Sequence, residues 1–294
     1  MFYSPLRYPG GKGKLAPFMK LMINKMNIKN GTYIEPFAGG AGIALMLLLE
    51  GYVNDIVIND YDKAIYSLWR AIVNESENLI DRIMQTEINI DEWRRQKNIY
   101  VQKNKKYSMD LAFSTFFLNR TNRSGIIKGG PIGGYEQNGN YKIDARYNAE
   151  ELAKRIRNIA KYKRHIKVYN KEIVSFIEKI LPSYNENALI YFDPPYFNKG
   201  PELYKNFFNK EDHAKISQLI LNNVQADWII TYDDAPEIIK LYQQRCIKRY
   251  DLNYSVANTG KNSELIIFKD KEYCPSNEEL LNRKININLR ELCI

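Results

Sequence analysis

The chain has 294 residues, 45% of them hydrophobic, enough for one large α/β domain with a sizeable insert or for two small domains, and this excludes wholesale disorder. Its three cysteines, Cys246, Cys274 and Cys293, are odd in number and lack metal-ligand spacing, so they read as free thiols of a reducing compartment. The net charge of +9 is uneven: residues 94–164 hold 17 Lys/Arg against 5 Asp/Glu, leaving the rest slightly acidic. A basic excess gathered in one segment fits a polyanion partner or a solvated basic surface.

The chain begins MFYSPLRYPGGKGKL, with no apolar stretch behind a basic cap, and no run of about 18 apolar residues follows. The expectation is a soluble cytoplasmic protein without a membrane span. Within that start, Arg7-Tyr8-Pro9-Gly10-Gly11-Lys12 offers exposed backbone amides and a lysine, which suits an anion such as the carboxylate of a cofactor's amino-acid end. It equally fits a flexible start, since Walker spacing is missing.

Residues 32–37 (TYIEPF) form a short apolar run that ends in AGGAG, and the helical pattern IALMLLLE follows. Residues 55–58 (DIVI) then lead into Asn59-Asp60 and a second helical stretch near 64–73. Strand, glycine turn, helix, strand and acidic residue are the opening of a Rossmann-like sheet. The turn Phe37-Ala38-Gly39-Gly40-Ala41-Gly42 lets backbone approach a ligand, and Asp60 is placed to accept hydrogen bonds from two ribose hydroxyls. The turn departs from the strict GxGxxG fingerprint, and a plain tight turn is the alternative.

From about residue 75 the pattern changes to helices rich in Lys, Arg, Asn and Tyr, with a glycine-laden loop at 124–139 that is too long for a simple connection. Strand patterns resume at 166–169, 188–192, 226–232, 246–254 and 265–268, alternating with helical stretches at 214–221 and 237–242. This predicts a doubly wound sheet formed by residues 1–74 and 166–274, a mainly helical insert at 75–165, and a polar helical tail at 275–294.

Asp193-Pro194-Pro195-Tyr196 follows the apolar strand ALIYF, where open α/β sheets bind ligands. Consecutive prolines fix φ and remove two donors, leaving free carbonyls in a rigid turn. Such a turn suits chemistry on an aryl amine, a poor nucleophile because its lone pair is delocalised into the ring. The Asp193 carboxylate and the Pro194 carbonyl supply two acceptors for its N–H groups, and Tyr196 supplies a stacking face. A proline-capped strand end is the bland alternative.

The order RYPGGK, EPFAGGAG, basic insert and DPPY resembles the D12-class, Dam-like N6-adenine DNA methyltransferases of the α group. NRTNRSGIIK at 119–128 resembles that family's NR…NG…R stretch; Tyr204, Phe207 and Phe208 match its aromatics after DPPY; TYDD at 231–234 and SELIIF at 263–268 match later strands. The likeness runs from residue 5 to about 270. It implies an α/β, Rossmann-like S-adenosylmethionine-dependent methyltransferase sheet with an inserted, mainly helical DNA-recognition domain.

By position, the resemblance implies cofactor contacts at Tyr8, Lys12, Phe37, Gly39, Asp60 and Asp193, and a catalytic loop of Asp193, Pro194, Pro195 and Tyr196. The family often has glycine where Ala41 stands, so a slightly different loop is expected there. The implied reaction is site-specific methylation of adenine N6 in double-stranded DNA, which requires the base to be flipped from the stack. Asn119, Arg120, Asn122, Arg123 and Lys128 are the candidate DNA contacts, with Arg120 and Arg123 foremost because arginine reads guanine well. No metal is called for, and a companion restriction endonuclease is compatible with the resemblance. His165 and His213 read as surface or packing residues.

Alternatives stay open: a relative that binds DNA without catalysing, or a methyltransferase acting on RNA. A protein-glutamine methylator would carry Asn-Pro-Pro-Tyr without the N-terminal PGGK. A nicotinamide oxidoreductase gives no role to DPPY or the basic insert. Abundant Asn, Ile, Lys and Tyr suggest an AT-rich bacterial or phage genome.

Overall fold

The computed structural model describes residues 3–7, 12–103, 105–198, 208–252 and 263–292. Eight strands form one sheet: β1 Thr32–Glu35, β2 Asp55–Asn59, β3 Ile166–Tyr169, β4 Ala188–Phe192, β5 Asp227–Asp233, β6 Cys246–Leu252, β7 Ser263–Phe268 and β8 Ile287–Arg290. Their order is β3-β2-β1-β4-β5-β7-β6-β8. The first five are mutually parallel, whereas β7 runs antiparallel between β5 and β6, and β8 antiparallel along β6. Fold class and strand positions match the sequence expectation, with ends shifted by a few residues where a proline such as Pro36 removes a ladder donor.

Alternation along the strands divides the core in two. Tyr33, Ile56, Ile58, Leu189, Tyr191, Ile229 and Ile266 belong to one apolar cluster, and Ile34, Val57, Ile190, Phe192, Trp228, Ile230 and Ile267 to the other. Buried parallel strands need apolar residues on both faces, and these have them. The first face is covered by α1 (Ala16–Lys25), α2 (Gly42–Leu49) and α3 (Lys63–Asn74), the second by α8 (Ile173–Lys179), α9 (Lys210–Asn223) and α10 (Pro236–Leu241).

Between α3 and β3 the described chain is helical: α4 (Ser76–Gln85), α5 (Ile90–Lys103), α6 (Met109–Thr121) and α7 (Ala149–Ala160). Leu79, Trp93, Phe116, Phe117 and Ile156 join the same cluster as α1–α3, so these helices share a core with the sheet's first face. The loop beyond α6 is ordered by its own side chains. Gln137 donates to the carbonyls of Ile132 and Gly134 and accepts from Ile143 N.

One expectation is corrected. Residues 275–292 are more than a polar helical tail: Asn277–Asn282 form a short helix and β8 closes the sheet edge, burying Ile287 and Leu289 while Asn288 and Arg290 face solvent. Among the described residues, no helix is long and apolar enough to cross a membrane.

Candidate active site

Because β2, β1, β4 and β5 are parallel, the loops after them open on one edge of the sheet. Glu35 pairs with Ile58 and Ile34 with Ile190, so the glycine turn after β1 lies between Asp60 and Asp193. Neighbouring strands are separated by about 5 Å, so the three loops lie side by side at that edge.

The first two loops are tied together. Gly39 N–H donates to Asp60 Oδ2 at 3.0 Å, and Asp62 N–H donates to Asp60 Oδ1 at 2.8 Å. Trp69 Nε1 holds the Gly39 carbonyl at 2.8 Å, and the Asn59 amide bridges the Pro36 and Lys171 carbonyls. Gly39 has φ +46°, and Ala41 takes φ +45° despite its Cβ. The loop keeps its left-handed residue at position 41 at a cost of about 1 kcal/mol. Burial, and then the neighbouring Asp62, push the Asp60 carboxyl up to about 7, against the two N–H donors. Beneath it, Glu35 accepts from Ala44 N–H, and burial pushes its carboxyl up to about 8.

The third loop is the DPPY turn. Thr231 on β5 donates its hydroxyl to Asp193 Oδ1 at 2.8 Å and is itself bonded to the Tyr191 hydroxyl at 2.7 Å. Asp193 Oδ2 has no hydrogen bond from a described residue. Pro194 and Pro195 are buried, and Asp233 accepts the N–H groups of Phe197 (2.7 Å) and Asn198 (2.8 Å), which fixes the chain's exit from the turn. Burial raises the Asp193 carboxyl, and Glu264 raises it further, while Lys12 and the Thr231 hydroxyl oppose them.

Lys12 is 7% exposed and joins the N-terminal segment to this turn. Its ammonium lies 3.7 Å from Asp193 Oδ1, 2.5 Å from Glu264 Oε2 and 2.7 Å from the Tyr196 hydroxyl. Burial would lower the Lys12 ammonium, but the flanking Asp193, Tyr250 and Glu264 outweigh it and raise it overall.

The expected site residues separate into groups. Lys12, Asp193 and Tyr196 meet in one cluster, and Gly39 and Asp60 in the adjoining one. Phe37 packs edge-on against Phe208 at 5.9 Å. Tyr8, Tyr204, Phe207 and Cys293 lie outside the described residues. Thr231, Asp233 and Glu264 have roles that the sequence left unassigned. Their signal was an acid or hydroxyl set in an otherwise apolar strand, TYDD and SELIIF.

The DNA candidates also divide. Asn119 is buried; it accepts from Arg7 N–H and donates to the carbonyls of Arg7 and Gly125. Asn122 is buried; it accepts from Trp93 Nε1 and donates to the carbonyls of Ile126 and Ile127. Both amides are spent on scaffolding. At Gly125, φ is +77° and a Cβ would meet the Arg7 carbonyl at 2.4 Å, so this contact requires glycine. Arg120 donates to the Arg146 carbonyl, and burial, then Arg7, Arg155 and Arg146, push its guanidinium down to about 10. Only Arg123 and Lys128 are exposed.

His165 is exposed beside Asp55, and His213 is buried against Tyr232, Phe197 and Phe208. Cys246 and Cys274 are free thiols. Among the described residues, no group of three or more His, Cys, Asp and Glu side chains is placed to hold a metal.

Comparison with known proteins adds an independent finding. Residues 8–256 match the model of the D12 class N6 adenine-specific DNA methyltransferases. A type II methyltransferase of Methanocaldococcus jannaschii is 24% identical over 232 residues, 72% of this chain and 77% of that protein. Another from Paramecium bursaria Chlorella virus NC1A is 26% identical over 192 residues, 63% of this chain and 67% of that protein. A solved rRNA methyltransferase of Streptomyces viridochromogenes is 12% identical with a TM-score of 0.37 over 83% of this chain and 78% of that one, a likeness too slight to bear on either fold or substrate.

Proposed function

We infer the mechanism from a plain premise: the chain belongs to the D12 class of N6 adenine-specific DNA methyltransferases, and is therefore an enzyme that methylates adenine N6 in DNA. The finer assignments are S-adenosylmethionine as donor, double-stranded DNA as substrate, residues 75–165 as the recognition part, and the roles of individual side chains. The observation that carries them is the meeting of Lys12, Asp193 and Tyr196 at the end of β4, beside the Gly39–Asp60 loops.

The residues present fit a nucleoside donor. Each Asp60 oxygen is engaged by one backbone N–H, which leaves lone pairs for two vicinal hydroxyls. Gly39 and Gly40 present no side chain, Phe37 presents a ring, and Lys12 provides the cation for an acidic tail. When bound, S-adenosylmethionine supplies an electrophilic methyl group on a sulfonium. Asp193 Oδ2 and the Pro194 carbonyl accept the two N–H groups of the extruded adenine, which directs the nitrogen lone pair outward, and Tyr196 stacks on the base. Thr231 and Lys12 hold Asp193 through Oδ1, so Oδ2, which no described residue engages, needs no reorganisation when the base arrives.

The reading is tested by incubating the protein with plasmid DNA and methyl-labelled S-adenosylmethionine and then analysing the nucleosides. Label in N6-methyldeoxyadenosine is expected. Label in cytosine derivatives, or in RNA only, would overturn it.

The Asp60 carboxyl gives a pH dependence. Hydroxyl donors bind its ionised form, so donor binding releases a proton and affinity rises as pH passes through about 7. Calorimetry should find up to about tenfold tighter binding at pH 8 than at pH 6, the change in ionised fraction for one such group. Asp60→Asn should bind weakly with a flat profile; a flat profile in the wild type would remove Asp60 from the site.

The arginines predict two kinds of DNA defect. Arg120 sits among Arg7, Arg146 and Arg155, a like-charge cluster that a backbone phosphate would relieve. Arg120→Ala should weaken binding equally across sequences and reduce the salt slope by about 1, whereas exposed Arg123→Ala should relax site choice. Binding isotherms at several salt concentrations, on cognate and scrambled duplexes, would show whether the two behave alike and the division fails.

A further inference from the structure

Glu264 is an acidic residue in the apolar strand β7, opposite Asp233 on β5 and Tyr250 on β6. A carboxylate so placed is costly unless its lone pairs are used, and these are. Oε1 accepts from the Tyr196 hydroxyl at 2.6 Å; Oε2 accepts from Lys12 Nζ at 2.5 Å and from the Tyr250 hydroxyl. The donors come from three separate stretches of chain: the catalytic turn, the N-terminal segment and the neighbouring strand. Lys12 also donates to the Tyr196 hydroxyl at 2.7 Å, so the phenol is held from two sides.

We propose that Glu264 is a positioning residue for methyl transfer, its carboxylate holding the Tyr196 phenol and the Lys12 ammonium so that the Tyr196 ring and Asp193 keep a fixed relation to the extruded base. The proposal rests on the reading of Asp193 and Tyr196 as groups that meet the substrate. Burial alone would raise the Glu264 carboxyl, but Lys12 and the hydroxyls of Tyr196 and Tyr250 outweigh it and lower it, so the carboxylate is ionised at neutral pH. The anchored end of Tyr196 is its hydroxyl, which leaves the ring face to the base. Any slack in that anchor acts on orientation during the chemical step and leaves the grip on DNA, made elsewhere, intact.

The test uses the full chain in single-turnover methylation. Glu264→Gln keeps an oxygen for the phenol but loses the charge that fixes Lys12; Tyr196→Phe keeps the ring but loses the anchor. Each is expected to slow single-turnover transfer at saturating donor roughly 10- to 100-fold, with DNA affinity within about twofold of wild type. The double variant should be little slower than either single one, because both break the same contact. Rates that multiply in the double variant would overturn the proposal. If Glu264→Gln fails to fold, Tyr196→Phe decides alone: a rate within twofold of wild type would overturn it. Loss of turnover in Asp193→Ala alongside unaffected Tyr196→Phe would leave the methyltransferase reading standing and remove only the role of Glu264.

Discussion

Asp193→Ala is expected to lower the methyl-transfer rate about 100- to 1,000-fold while DNA binding stays measurable. In the proposed mechanism the carboxylate supplies one of two acceptors for the adenine amine, and removing a preorganised polar group of this kind costs about 3–4 kcal/mol in the transition state. Its removal also releases the Thr231 hydroxyl and leaves Lys12 with Glu264 as its remaining carboxylate partner. The basic helices proposed to grip phosphates are untouched, so a gel-shift titration should change little. Single-turnover methylation checks the expectation, and a rate within tenfold of wild type would remove Asp193 from the chemistry.

Lys12→Met should have the largest effect on stability. The wild-type ammonium, almost wholly buried, serves two partly buried carboxylates at 2.5 Å and 3.7 Å. Removing the cation from a buried ion pair costs about 3–5 kcal/mol because the remaining charges stay uncompensated. Without Lys12, the Glu264 and Asp193 carboxyls would be raised above their unfolded values. Stability would then be retained at low pH and lost as pH rises through those raised values. The melting temperature of Lys12→Met should therefore lie several degrees below wild type at pH 8, and the gap should narrow toward pH 5. Lys12→Arg, which keeps the charge, should recover part of the loss. A gap independent of pH would mean that Lys12 acts by packing alone.

Both effects come from a site only partly legible in the sequence. The strands were legible because a buried parallel strand is a short apolar run between turn signals; Ile166–Tyr169 and Ala188–Phe192 keep their expected bounds. The loops that hold Gly39, Asp60 and Asp193 follow directly, since ligand loops lie beyond the carboxyl ends of such strands. The edge strand β8 was hidden because Ile287 and Leu289 alternate with polar residues in a polar segment, and its pairing depends on β6, far earlier in the chain.

Asn119 and Asn122 looked suited to bases by residue type alone. Their commitment is tertiary: Asn119 binds Arg7, more than a hundred residues away, and Asn122 binds Trp93 on another helix. A cue was present in MDLAFSTFFLNRT, whose apolar residues surround the helix and mark it as buried throughout. The Lys12–Glu264 contact spans 252 positions, and no local pattern announces it.

The central claim, that one sheet edge binds the donor through Asp60 and the adenine through Asp193–Tyr196, is tested most directly by a crystal structure with S-adenosylhomocysteine bound. The account predicts ribose hydroxyls on the Asp60 carboxylate and the thioether sulfur turned toward Asp193 and Tyr196. A ligand seated away from the loops after β1 and β2, or one whose sulfur faces away from the proline turn, would contradict it.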